Sequence, residues 1–178
     1  MNSQSRPQSE VDLGEIAMSA GREIAPSLGE RSLQVDCASA PVRGNQDELH
    51  RLVLNLLDNA VRYTPDGADI SLATSRDPKA GAVRLEVADS GPGIPEKMRE
   101  RVFERFVRGQ SSSDTAASDG TGLGLAMVRA IAASHGGTVT AGRSAELGGA
   151  RLAIVLPALQ SPGKPEESEG KRAWRRAS

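Results

Sequence analysis

The stretch NQDELHRLVLNLLDNAVRYT, Asn45 to Thr64, constrains the fold more than any other part of the chain, because its residues sort onto two faces of one helix. Leu49, Leu52, Val53, Leu56, Leu57, Ala60 and Val61 recur at the three-and-four spacing of a buried stripe. Arg51, Asn55, Asn59 and Arg62 follow at steps of four, four and three, so their side chains stack into a polar column. Asn45 with Glu48 three residues later resembles a capping box, and Thr64-Pro65-Asp66-Gly67 ends the helix with turn chemistry. An ordinary amphipathic helix turns such a column to water. Asparagine is a poor choice for that purpose, since it costs helix propensity relative to Lys, Glu or Gln. Its carbonyl can instead ligate a hard cation such as Mg²⁺ without adding charge, and Arg62, one turn on, can meet a phosphate.

At 178 residues the chain suits one domain with tails, large enough to bury a real core. A net charge of −1 gives no global field favouring nucleic acid or an anionic membrane. Cys37 is the only cysteine, which excludes an internal disulfide and a multi-cysteine zinc site and fits a reducing, cytoplasmic setting. No apolar run approaches the roughly 20 residues of a membrane helix, and MNSQSRPQSE lacks the apolar core of a signal peptide. Tyr63, Phe103, Phe106 and Trp174 are the only aromatics, so the core must be aliphatic and base-stacking platforms are not expected.

Along the chain, residues 1–10 read as a disordered lead-in and residues 160–178, rich in Pro, Ser and charge, as a disordered tail, leaving one domain over 11–159. Val11 to Leu28 carries a loose helical pattern interrupted by Gly14 and Gly21, a weak helix. Ser32 to Cys37 alternates as a half-buried strand, and a loop with Pro41 and Gly44 leads into the long helix. Ala68–Ser75 and Ala82–Asp89 read as an antiparallel hairpin. Asp89-Ser90-Gly91-Pro92-Gly93-Ile94 follows, where glycines let the backbone turn and approach a ligand. Pro95 to Phe106 reads as a short helix, Arg108 to Asp119 as a polar, mobile, lid-like loop. Gly120-Thr121-Gly122-Leu123-Gly124-Leu125 then opens a helix that Gly136-Gly137 end, and two strands finish the domain.

Glycines at 120, 122 and 124 before a helix expose N–H groups at its positive end, a good place for phosphate oxygens, yet a flexible linker has the same composition. The loop lacks the Lys and Ser/Thr of a Walker-type motif and does not follow a strand. Asp89 either caps its turn or accepts a hydrogen bond from an exocyclic amine, as an adenine reader would.

Taken in order and spacing, NLLDNAVRYTPDG, DSGPGI, FERFVRG and GTGLGL resemble the N, G1, F and G2 boxes of the ATP-binding domain of sensor histidine kinases. The resemblance runs from about Val11 to Leu159 and extends to the wider GHKL family of DNA gyrase, heat-shock chaperones and mismatch-repair ATPases. It implies a two-layer α/β sandwich with a left-handed crossover, a mixed, mostly antiparallel sheet, helices on one face and a mobile ATP lid. It also implies ATP and Mg²⁺ as cofactors. Asn59 would be the Mg²⁺ ligand, with Asn55, Arg62 and Tyr63 around metal, phosphates and nucleotide, and Asp89 would bind the adenine amino group. Gly91, Gly93 and Ile94 would shape the base pocket, Phe103 and Phe106 would anchor the lid, and Arg108 would reach the phosphates. Gly120, Thr121, Gly122, Leu123, Gly124 and Leu125 would close over the nucleotide.

Two departures from the family pattern, Gly44-Asn45 for Gly-Asp and Gly148-Gly149-Ala150-Arg151 for Gly-Thr, are expected to lie away from the nucleotide contacts. The gyrase and chaperone branches place a glutamate base where this chain has Asn55, and an amide cannot take a proton at neutral pH, so transfer to another nucleophile is expected over hydrolysis. His50 and His135, the only histidines, lack the acidic neighbour usual for the family's phosphoacceptor and read as structural. The resemblance therefore implies a catalytic subunit that phosphorylates a histidine on a partner protein and, through it, a response regulator. The other readings are a fragment of a longer kinase, an anti-sigma-factor-like serine kinase, and a nucleotide-binding scaffold without transfer activity.

Overall fold

The computed structural model describes residues 7–105 and 123–160. A five-stranded sheet, β2 (Ser32–Cys37), β4 (Asp69–Asp77), β5 (Ala82–Asp89), β7 (Ala150–Pro157) and β6 (Thr138–Arg143) in spatial order, is parallel between β2 and β4 and antiparallel elsewhere. Three α-helices among the described residues form a single layer on it. The first, α1 (Leu13–Ile24), packs over β2 and β4; the second, α2 (Gln46–Tyr63), over β5; the third, α3 (Gly124–Ser134), over β6 and β7. This is the two-layer α/β sandwich expected from the sequence.

The stripe of α2 is the centre of the core: Leu49, Leu52, Val53, Leu56 and Leu57 are each 1% exposed or less. They meet the inward residues of β4, β5 and β7, where Leu72 pairs with Val87 and Leu85 with Ile154 across the ladder. At about 1.5–3 kcal/mol for each fully buried aliphatic side chain, this stripe alone outweighs the propensity cost of the two asparagines behind it.

Four segments differ from their sequence reading. Ser9 and Glu10, read as part of the disordered lead-in, begin a strand, β1 (Ser9–Asp12), which pairs antiparallel with β3 (Pro41–Gly44), read as a loop. Both strands have only four residues, too few for alternation to stand out. The helix α1 is a firm element, not a weak one. Its glycines are packing sites: a Cβ at Gly14 would stand 2.2 Å from Ala38 O, and one at Gly21 3.4 Å from Val35 Cγ2. Pro95–Phe106 forms no α-helix over its described part; instead two 3-10 turns, Glu96–Met98 and Arg101–Phe103, follow Pro95, with Phe103 buried in the core. The two outer tails, 1–6 and 161–178, lie outside the described residues.

Asp12 joins α1 to β3. Its Oδ1 accepts from Gly14 N at 2.8 Å as the helix N-cap and from Ala40 N at 2.9 Å, while Oδ2 accepts from Ser39 Oγ at 2.6 Å. Burial alone pushes the carboxyl up, but the bonds from Ser39, Ala40, Gly14 and Glu15 together outweigh it and hold the group below its ordinary 3.8. A depressed carboxylate contributes stability above that ordinary value and loses it as pH falls through the folded value. Asp12→Ala is expected to cost about 1–2 kcal/mol in denaturant unfolding at pH 7, with the difference from wild type shrinking at acid pH.

Candidate functional site

The polar column of α2 ends beside the turn that follows β5. Thr64, the C-cap residue of α2, is extended, 4% exposed, and donates its Oγ1 hydrogen to Ala60 O at 2.7 Å. A Cβ at Gly91 would stand 2.9 Å from Thr64 Cγ2 and 3.2 Å from Tyr63 O. Only a glycine lets the two segments approach this closely. Of the sequence-predicted residues, Tyr63 at the end of α2 is thereby brought against Gly91, in the turn that follows Asp89, the last residue of β5.

Asp89 is 6% exposed. Its Oδ1 accepts from Gly91 N at 2.9 Å and from Ala150 N at 3.1 Å, and its main-chain carbonyl accepts from Gly149 N at 3.0 Å. Both side-chain bonds fall on Oδ1, which leaves Oδ2 with no hydrogen bond among the described residues. Burial pushes the carboxyl above its ordinary value, and the bonds from Gly91 and Ala150 oppose the rise without cancelling it. A buried acceptor held rigidly through one oxygen and open at the other fits an amine donor. The cradle is shaped by absent side chains, because a Cβ at Gly149 would stand 2.4 Å from both Asp89 O and Oδ1. Gly93, at φ +78°, faces Gly149 from the other side.

The start of β7 was thus missed as part of the site. The Gly149-Ala150 departure from the family pattern, expected to lie away from the nucleotide contacts, supplies two of the three backbone bonds on Asp89. The signal available was the run of two glycines directly before a strand.

On α2, Asn55 donates from Nδ2 to Met127 Sδ at 3.5 Å, which joins the column to the first turns of α3. Asn59 is half-buried and makes no side-chain hydrogen bond among the described residues. Arg62 Nε pairs with Asp58 Oδ2 at 2.9 Å, one turn back, and Tyr63 is 48% exposed. Among the described residues no cluster of three or more His, Cys, Asp or Glu could hold a metal ion. Leu123, the N-cap of α3, leads into Gly124 and Leu125. Phe106, Arg108, Gly120, Thr121 and Gly122 lie outside the described residues.

The histidines are held elsewhere. His50 Nε2 pairs with Glu23 at 2.6 Å. His135 is 7% exposed, with Nδ1 2.8 Å from Ile131 O and Nε2 accepting from Asn45 N at 3.1 Å. That imidazole completes the cap of α2: Asn45 Oδ1 accepts from Glu48 N, and the second half of the expected capping box, the Asn45 N–H, is bound by His135.

The chain belongs to the histidine kinase-, DNA gyrase B- and HSP90-like ATPase family, which it matches over residues 44–160. It is similar to the signal transduction histidine-protein kinase/phosphatase MprB of Mycolicibacterium vanbaalenii, 39% identical over 142 residues that make up 77% of this chain and 28% of that protein. It is also similar to the signal transduction histidine-protein kinase BaeS of Escherichia coli, 37% identical over 155 residues, 86% of this chain and 32% of that one. The chain spans less than a third of either relative's length. Among solved structures it resembles a mycobacterial sensor histidine kinase MprB, with TM-score 0.73 and 32% identity over 85% of this chain and 97% of that chain. Full-length ShkA in complex with AMPPNP gives TM-score 0.71 and 28% identity over 90% of this chain and 33% of that chain. The fold is that of the histidine-kinase ATPase domain. No helix among the described residues is long and apolar enough to cross a membrane.

Proposed function

We propose that this chain binds Mg·ATP and transfers the γ-phosphoryl group to a histidine on a separate helical partner, which passes it to a response regulator. The observation that carries this reading is Asp89, a carboxylate 6% exposed, fixed through Oδ1 and open at Oδ2. Ionised, Oδ2 accepts from the adenine amine; a base with a carbonyl there would leave the buried carboxylate unpaired.

The metal side follows from the column on α2. Mg²⁺ would supply charge neutralisation, and Asn59, half-buried and with no side-chain hydrogen bond among the described residues, would hold it through its neutral carbonyl. Arg62 is recruitable at small cost. Its exposed pair with Asp58 is worth about 0.3–0.5 kcal/mol, against roughly 1.5–3 kcal/mol for a hydrogen bond to a charged group. Arg108 and the glycines at 120, 122 and 124 are assigned the phosphates and the closing lid on the family pattern.

Asn55 cannot serve as a base for water, so the acceptor is the nucleophile. Within the chain no histidine suits that part. His50 lies nine residues before Asn59, about 13 Å along the helix axis, and His135 has both ring nitrogens engaged. With ATP and Mg²⁺ alone, the chain is expected to bind nucleotide and stay unlabelled by γ-labelled ATP. Addition of a helical-bundle protein with an exposed histidine is expected to give label that is acid-labile and base-stable. Acid-stable label on a partner serine, or strong label on His50 or His135, refutes the reading.

A further inference from the structure

We propose that Arg31 is a positioning residue of the nucleotide site: by clamping Thr64 it sets the base side at Asp89 against the metal and phosphate side on α2. The proposal rests on the reading of that site given above.

Arg31 lies between α1 and β2, far in sequence from every motif, yet its side chain is only 14% exposed. Its guanidinium reaches across 33 residues to the end of α2. Nε donates to Thr64 Oγ1 at 3.0 Å and to Thr64 O at 3.2 Å, and Nη2 donates to Thr64 O at 2.6 Å. Nη1 donates to Leu28 O at 3.3 Å and pairs with Asp66 Oδ1 at 3.1 Å. The fork spans an orphan carbonyl just past the helix end and a hydroxyl that is itself committed to Ala60 O.

Thr64 has no latitude on its other side. Its Cγ2 fills the space where Gly91 would carry a Cβ, and Gly91 N holds Asp89 Oδ1. The path from Arg31 to Asp89 therefore has two links, Thr64 and Gly91, both in direct contact. Stability asks only that the carbonyl of Thr64, a residue 4% exposed, find a donor, which a single hydrogen bond supplies. What the clamp adds is a fixed separation between the Asn59–Arg62 turn and the Asp89 carboxylate. A ligand that engages both ends feels that separation, and one that engages a single end does not.

The test compares ATP with adenosine. Arg31→Met, Arg31→Lys and wild type are titrated with Mg·ATP by calorimetry and with adenosine by NMR chemical-shift perturbation, with thermal melts of each apo protein as the folding control. Arg31→Met is expected to weaken ATP binding by about tenfold or more while adenosine binding stays within about twofold. Arg31→Lys, which keeps the charge but loses the planar fork, is expected to lie between. Equal weakening of both ligands assigns Arg31 a general structural role and overturns the proposal, as does unchanged ATP affinity in Arg31→Met. Failure of the underlying reading shows separately, as absent ATP binding by wild type or unchanged binding by Asp89→Asn.

Discussion

Asp89→Asn is expected to weaken ATP binding by about 1–3 kcal/mol in titration calorimetry while leaving the apo protein at least as stable as wild type. The amide keeps the acceptor that Gly91 N and Ala150 N require, so the backbone cradle survives. It replaces the open Oδ2 with an NH₂ group that donates where an acceptor is needed. Burial raises the folded carboxyl above its ordinary 3.8, so the native state holds more protons than the unfolded chain between that value and the raised one. Stability from this group is therefore present below the window and falls as pH rises through it, so at neutral pH the charge is a net cost. Relative to the variant, wild type is expected to gain stability on acidification through the window. An Asp89→Asn protein that bound ATP normally would remove the adenine assignment.

Gly149→Ala is expected to destabilise the fold by about 1–3 kcal/mol, the scale of an overpacked site, and to remove measurable nucleotide binding. The methyl group would meet Asp89 O and Oδ1 at 2.4 Å and Gly91 N at 2.6 Å, all main-chain or fixed atoms that cannot swing aside. The neighbouring Gly148 supplies the control. It has a φ of +83° and nothing within 4 Å of a Cβ, so Gly148→Ala should cost about 1–2 kcal/mol of backbone strain and leave nucleotide affinity intact. Nucleotide affinity that fell equally in both variants would show that stability, not the cradle, governs binding.

The sequence carried the helix α2, the β4–β5 hairpin and Asp89 because each has a dense local signature: a seven-residue apolar stripe, strict alternation, and glycines just past a strand. It did not carry β1 and β3, whose pairing is short and non-local, or the parallel partnership of β2 with β4, which no turn announces. The strength of α1 was hidden because Gly14 and Gly21 count as breakers by propensity, whereas in the fold they admit Ala38 O and Val35. In the candidate site, Asp89 and the asparagines of α2 stood out as residue types, whereas the groups that hold Asp89 did not. Ala150 acts through its backbone N–H, which any residue but proline offers, and Arg31 through contacts made 33 residues away.

The bond from Asn45 N–H to His135 Nε2 ties the N-cap of α2 to the C-cap of α3. The far end of α3 begins at Gly124, at the edge of the glycine motif. A local opening that lifts the C-terminal end of α3 from the sheet breaks that bond and bares the Asn45 amide to solvent. Its proton-exchange lifetime thus follows the residence of the C-terminal end of α3 on the domain, a clock read at the start of the central helix.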